Sequence, residues 1–137
     1  TNTLMGLGGY PASDPYFLGM LGMHGTYQAN MAMHNADLII AIGARFDDRI
    51  TNTPSLFAPN AKIIHLDIDY SSVSKIIEAN IALFGEVKNS LNKIIDKLND
   101  LYTRDPDLTD TVMDLLQNDQ LMKLSSYNNY FVFIKNK

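Results

Sequence analysis

An unbroken apolar run, Leu38 to Ile42, passes directly into Gly43-Ala-Arg-Phe-Asp-Asp-Arg49, and this junction limits the available folds more than any other stretch. Five apolar residues bounded by Asp37 and Gly43 are too short for a typical helix and read as a strand buried on both faces. Such strands belong to α/β sheets, where ligands bind just beyond the carboxyl ends. Gly43 lets the main chain come close to a ligand, and Arg45 and Arg49 offer planar guanidinium donors for phosphate or ribityl oxygens. The same charges also read as a polar turn whose Asp and Arg side chains pair with one another.

A chain of 137 residues with 46% hydrophobic content has enough material for one core without metal or disulfide support. Cysteine is absent, which excludes disulfides, thiolate catalysis and Cys-ligated zinc, and fits a reducing compartment. A net charge of −4 argues against a general nucleic-acid binder, which needs a basic face. No apolar run is long enough for a membrane span, and no basic segment precedes an apolar one at the start, so the expectation is a cytoplasmic protein. The first residue is threonine, which suggests a processed or excised piece.

Along the chain, Gly6, Gly8 and Gly9 form a glycine-rich loop after a short strand end, without the G-x-G-x-x-G spacing of a phosphate cradle. Ser13-Asp-Pro15 reads as a helix start. From Phe17 to Gly25, glycines alternate with large apolar residues, a suitable wall for a flat ligand. Thr26 is an N-cap for a helix from Tyr27 to about Asn35, with Ala29, Ala32, Met33 and Ala36 on one face. Lys62 to Asp69 reads as a second strand with Asp67 and Asp69 at its carboxyl end, where dinucleotide folds place an acceptor for ribose hydroxyls. Asp69 also reads as the cap of a helix over 72–80, on the spacing of Val73, Ile76, Ile77 and Asn80. Ile81 to Gly85 is a third short apolar run. Glu86 to Tyr102 is the clearest amphipathic helix, with Val87, Leu91, Ile94, Ile95, Leu98 and Leu101 in one stripe. Alternating strands and helices predict a parallel sheet. Beyond a breaker at Arg104-Asp-Pro-Asp107, the reading is a helix over 108–124 and, over 128–137, a lone aromatic strand with a polar tail. His24, His34 and His65 have no metal-ligand spacing.

Several stretches together resemble a known family. Thr3-Leu-Met-Gly6, Leu18-Gly-Met-Leu-Gly-Met-His-Gly-Thr26, Ala29 to Leu38 and Gly43 to Arg49 are similar to the middle domain of the acetolactate synthase (acetohydroxyacid synthase) catalytic subunit. His65-Leu-Asp-Ile-Asp69 and Phe84-Gly-Glu-Val87 continue the match, which covers about residues 1–101. The resemblance implies an α/β fold, a Rossmann-like parallel sheet flanked by helices, incomplete at the N-terminus. It divides the chain into a partial central domain, 1–102, and a tail outside the resemblance, 103–137. It further implies a thiamine-diphosphate enzyme that joins two 2-oxoacids, such as pyruvate, with loss of carbon dioxide in branched-chain amino-acid biosynthesis. That enzyme is a homo-oligomer with a regulatory subunit as a further partner, and its middle domain holds FAD without using it for redox chemistry in the main reaction.

By that resemblance, Thr3, Leu4 and Met5 line the flavin side together with Leu21, Gly22, Met23 and His24. Gly43, Ala44, Arg45, Asp47 and Arg49 follow the ribityl and phosphate groups, and Asp67 and Ile68 meet the adenosine end. Glu86 stands where the family usually has aspartate after glycine. Asp48 and Met23 lie toward the thiamine site. The resemblance carries no catalytic residue and no metal ligand onto this chain. The family's activating glutamate and its diphosphate and Mg2+ motif are not in the sequence, so the chain on its own is expected to be inactive. Two alternatives stay open: the central domain of another thiamine-diphosphate enzyme, of glyoxylate carboligase or pyruvate oxidase type, and a non-catalytic nucleotide-binding or interaction module.

Overall fold

The computed structural model describes residues 1–104 and 131–135. Its centre is a four-stranded sheet in the order β3-β2-β1-β4. β1 (Leu38–Ile42), β2 (Lys62–Asp67) and β3 (Ile81–Phe84) run parallel, with Leu38 opposite Lys62 and Ile64 opposite Ile81. β1 and β2 are the buried strands that their apolar runs predict. The carboxyl ends of all three parallel strands therefore lie along one rim. The aromatic strand expected near the end of the chain is β4 (Phe131–Lys135), and it is not alone: it pairs antiparallel with β1, Leu38 opposite Lys135. The helix read over 108–124 lies outside the described residues.

Alternation along each strand separates two cores. On one face Ile39, Ala41 and Ile63 pack with Ala29, Met33 and Ala36 from α1 (Tyr27–His34) and its exit. Small side chains on α1 let it lie close to the sheet. Its N-cap is the predicted one, with the Thr26 hydroxyl accepting the Ala29 amide at 3.2 Å. On the other face Ile42 and Leu66 meet Leu91 and Ile95 of α3 (Val87–Arg104), with Val87 and Ile94 at the margin. Val87, Leu91, Ile94 and Ile95 of the stripe read from the sequence are on the face α3 buries.

Two expected helices do not form. Residues 72–80 make turns, because their polar side chains bind the local main chain instead of leaving it to a helix. The Asp69 carboxylate accepts the amide and hydroxyl of Ser71 and the hydroxyl of Ser72, while Ser74, in the left-handed region at φ 56°, accepts the Ala79 amide at 3.1 Å. Asn80 is used outside any helix, accepting the Ile63 amide at 2.7 Å. The second is at Ser13-Asp-Pro15, where Asp14 accepts the Tyr16 amide at 2.8 Å and closes a turn. Between β1 and β2 the chain has only α2 (Asp48–Thr51) and a 3-10 turn, Pro54–Leu56, so this crossover stays short.

Candidate functional site

Three loops meet above the tips of β1 and β2 and enclose a cleft of about 880 Å³. The first is the turn after β1. Gly43 has φ 63°, which a residue without Cβ adopts freely, and its amide still reaches the Leu66 carbonyl at 2.8 Å, so β2 stays paired past the strand end. Ala44 and Phe46 then point inward while Arg45 and Asp47 point outward. Phe46 anchors the turn despite a left-handed backbone, φ 53°, a conformation that costs a non-glycine residue roughly 1–2 kcal/mol. Its ring sits edge-on against both Phe57 (5.6 Å) and His65 (5.2 Å). Asp47 opens α2, its carbonyl accepting the amides of Ile50 and Thr51, and this turn brings Arg49 to the cleft wall.

The second loop is the glycine-methionine segment. Asn2 forms a parallel bridge with Met20, and its buried side chain donates to the Gly6 carbonyl at 2.7 Å. Thr3 accepts the Gly6 amide at 3.1 Å and caps a 3-10 turn, Leu4–Gly6, which leaves Leu4 and Met5 exposed at the cleft mouth. Met23 joins them, its amide donating to the Arg49 carbonyl at 2.8 Å. The third loop follows β2. Asp67 is buried and accepts the Asp69 amide at 2.8 Å; Ile68 is exposed. The Ser71 hydroxyl and amide, with the Ser72 hydroxyl and the charge of Lys75, hold the Asp69 carboxyl below its ordinary range.

Of the residues that the resemblance sets along the flavin nucleotide, all but Gly22 and Glu86 line this cleft: Thr3, Leu4, Met5, Leu21, Met23, His24, Gly43, Ala44, Arg45, Asp47, Arg49, Asp67 and Ile68. Gly22 stands behind the wall. A Cβ there would come within 2.3 Å of the Arg49 carbonyl oxygen, and its amide and carbonyl are both bound by Asn30, at 2.8 and 3.0 Å. Glu86 precedes α3 and accepts the Asn89 side-chain amide at 2.7 Å, away from the cleft. Asp48, exposed on α2, does not line it. Met20, Ile50 and Ser72 do, as does Asp69, which the sequence sets beside Asp67 at the end of β2. Asp69 and Met20 lay inside stretches already marked; for Ile50 and Ser72 the sequence held no signal.

Both readings of the arginines have a counterpart. Arg45 donates to Asp47 at 2.9 Å in an exposed ion pair, the polar-turn arrangement, whereas Arg49 has no ion-pair partner among the described residues. The hydrogen bonds from Met23 to Arg49 and from Gly43 to Leu66 fix the order across the cleft. Met23 of the apolar lip adjoins Arg49, and the turn carrying Arg45 and Asp47 adjoins the tip of β2, where Asp67 and Asp69 stand. Such a site can bind and orient a long ligand with a flat apolar end and an anionic middle. No helix among the described residues is long and apolar enough to cross a membrane.

Comparison with known proteins agrees with this fold. Residues 1–94 match the family model for the central domain of thiamine pyrophosphate enzymes. The chain is 55% identical over 100 residues to the acetolactate synthase large subunit of Haemophilus influenzae, covering 73% of this chain and 18% of that protein. It is 49% identical over 104 residues to the acetolactate synthase isozyme 3 large subunit of Escherichia coli (76% and 18%). To the probable acetolactate synthase large subunit of Methanocaldococcus jannaschii it is 48% identical over 103 residues (75% and 17%). The chain thus spans less than a fifth of the length of the curated relatives it matches. With most of its length in the family model and a parallel sheet to match, this chain belongs to the thiamine pyrophosphate enzyme family as a central domain, and within that family it is similar to acetolactate synthase large subunits.

Proposed function

We propose that the cleft holds FAD and that the chain serves as the flavin-holding central part of an acetolactate synthase. One observation carries this reading: segments far apart in sequence supply exposed apolar side chains, two guanidinium groups and three carboxylates along a single cleft. The volume of about 880 Å³ lies within the range of small-molecule sites. The exposed Leu4, Met5 and Met23 offer adaptable apolar surface for an isoalloxazine ring. Arg45 and Arg49 suit the pyrophosphate, since guanidinium groups bind phosphate oxygens in a bidentate manner. Asp67 suits ribose hydroxyls as an acceptor. The same reading carries 2-oxoacids such as pyruvate as substrates, thiamine diphosphate and Mg2+ held by other parts of the enzyme, a homo-oligomer with a regulatory subunit, and a cytoplasmic setting.

Equilibrium titration of the 137-residue chain with FAD, followed by flavin absorbance after gel filtration, tests the reading. Retained flavin that is lost in the Arg45→Ala, Arg49→Ala double variant is the expected result. A chain that folds yet retains no flavin at any accessible concentration would falsify it. With thiamine diphosphate, Mg2+ and pyruvate added, this chain alone is expected to form no acetolactate.

A further inference from the structure

We propose that the exposed aromatic pair Tyr70 and Phe84 is a stacking platform for the purine base of the nucleotide held in the cleft. The inference rests on the nucleotide reading above and adds a base-binding subsite to it. The two rings lie 4.6 Å apart at an interplanar angle of 29°. Tyr70 is nevertheless 77% exposed and Phe84 49%. A ring covered by its neighbour on one side keeps that much surface only when its other side is open, so the stack ends in a free aromatic face. Aromatic rings left in water gain by being covered, and a nucleobase is a flat partner for an offset stack.

Position supplies the occupant. Tyr70 directly follows Asp69, and Phe84 is the last residue of β3. The Gly85 amide donates to the Asp67 carbonyl at 3.1 Å, which holds the tip of β3 beside the tip of β2. Asp67, Ile68 and Asp69 line the cleft, so the platform continues its acidic end. It lies on the side away from the arginines, because β2 separates β3 from β1. A nucleotide with its phosphates at Arg45 and Arg49 and its ribose at Asp67 has its base next in line, at the β3 tip. Stacking alone accepts any base, and the larger face of a purine covers more of the ring.

Titration of the full 137-residue chain with ADP, FMN and FAD separates this subsite from the rest of the cleft. Tyr70→Ala is expected to weaken ADP and FAD about tenfold to a hundredfold, the scale on which alanine substitution reports base stacking, with FMN affinity unchanged. Tyr70→Phe keeps the ring and is expected to bind all three as the parent does. Tyr70 is exposed, so the variants should fold, and circular dichroism checks that they do. Unchanged ADP and FAD affinity in Tyr70→Ala would overturn the platform, as would an equal loss of FMN. FMN binding without any ADP binding would overturn it while leaving the cleft reading standing. Failure of all three probes to bind the parent chain would overturn both.

Discussion

The ring of Phe46 meets the imidazole of His65 edge-on, centroids 5.2 Å apart, and this contact joins the turn lining the cleft to the interior of the sheet. His65 is completely buried, and neither ring nitrogen makes a well-aligned hydrogen bond among the described residues, the Ala44 main chain being a polar neighbour that acts on the ring. Burial is the dominant cause of its lowered pKa, outweighing the Asp67 charge and the Ala44 main chain, which favour the protonated form. The sign follows from proton counts. Above the ordinary value of 6.5 the ring is neutral in both states; below it the unfolded chain takes up the proton first. Stability should therefore fall as pH drops below about 6.5, until the folded-state value is reached. Urea midpoints measured across that range should show this slope, and His65→Leu should flatten it. An unchanged slope in the variant would remove His65 as its source.

Gly22 illustrates a residue whose role is packing although its neighbours touch the cleft. With φ 90° and the Arg49 carbonyl oxygen 2.3 Å from any Cβ, Gly22→Ala must both strain the backbone and push two main chains apart. The left-handed conformation and overpacking together should cost about 2–4 kcal/mol. Met23 and Arg49 would separate, so FAD affinity should fall with stability. Urea unfolding checks the first effect and flavin titration the second; a variant as stable as the parent would refute the close approach.

Thr26 serves two elements with one hydroxyl. It accepts the Ala29 amide at the start of α1 and donates to the Leu18 carbonyl at 2.6 Å, tying the helix to the glycine-methionine loop. Thr26→Ala loses both bonds and should destabilise the chain by about 1–2 kcal/mol, near the upper end for an N-cap. Thr26→Ser keeps both and should stay within about 0.5 kcal/mol of the parent, since exchanging one cap residue for another changes little. Equal losses in the two variants would show that the methyl group, not the hydroxyl, matters there.

Regular periodicity made much of the fold legible. Five apolar residues before Gly43 read as a buried strand and form one, and Val87, Leu91, Ile94 and Ile95 of the stripe are on the face α3 turns to the sheet. Residues 72–80 carry a similar spacing, yet Asp69 and Ser74 bind nearby main-chain amides, Asn80 binds the distant Ile63 amide, and of the four spaced residues Ile77 is the one in the core cluster. Periodicity does not register that competition. The pairing of β4 with β1 joins residues almost a hundred positions apart, and no local pattern encodes it. At the cleft, the family motifs led to most of its lining. Gly22 and Glu86 lie outside that lining, because a motif marks which residues recur and not which way each one faces.

Arg45 and Arg49 sit four residues apart on the same turn but differ in what they must give up to bind an anion. Arg45 is already paired with Asp47, the side chains 70% and 45% exposed, so this pair contributes at most about 1 kcal/mol to stability. Arg45→Ala should leave the unfolding midpoint almost unchanged. For a phosphate ligand the carboxylate of Asp47 competes for the same guanidinium, whereas Arg49 has no ion-pair partner among the described residues and offers all its donors. A hydrogen bond to a charged group is worth roughly 1.5–3 kcal/mol, so Arg49→Ala should weaken FAD binding by about tenfold to a hundredfold. Arg45→Ala should weaken it less. Asp47→Ala, by freeing Arg45, should recover affinity in the Arg49→Ala background. Calorimetric titration of the three variants decides the matter: if Arg45→Ala proves the more damaging, the pair with Asp47 must open on binding and the order argued here is reversed.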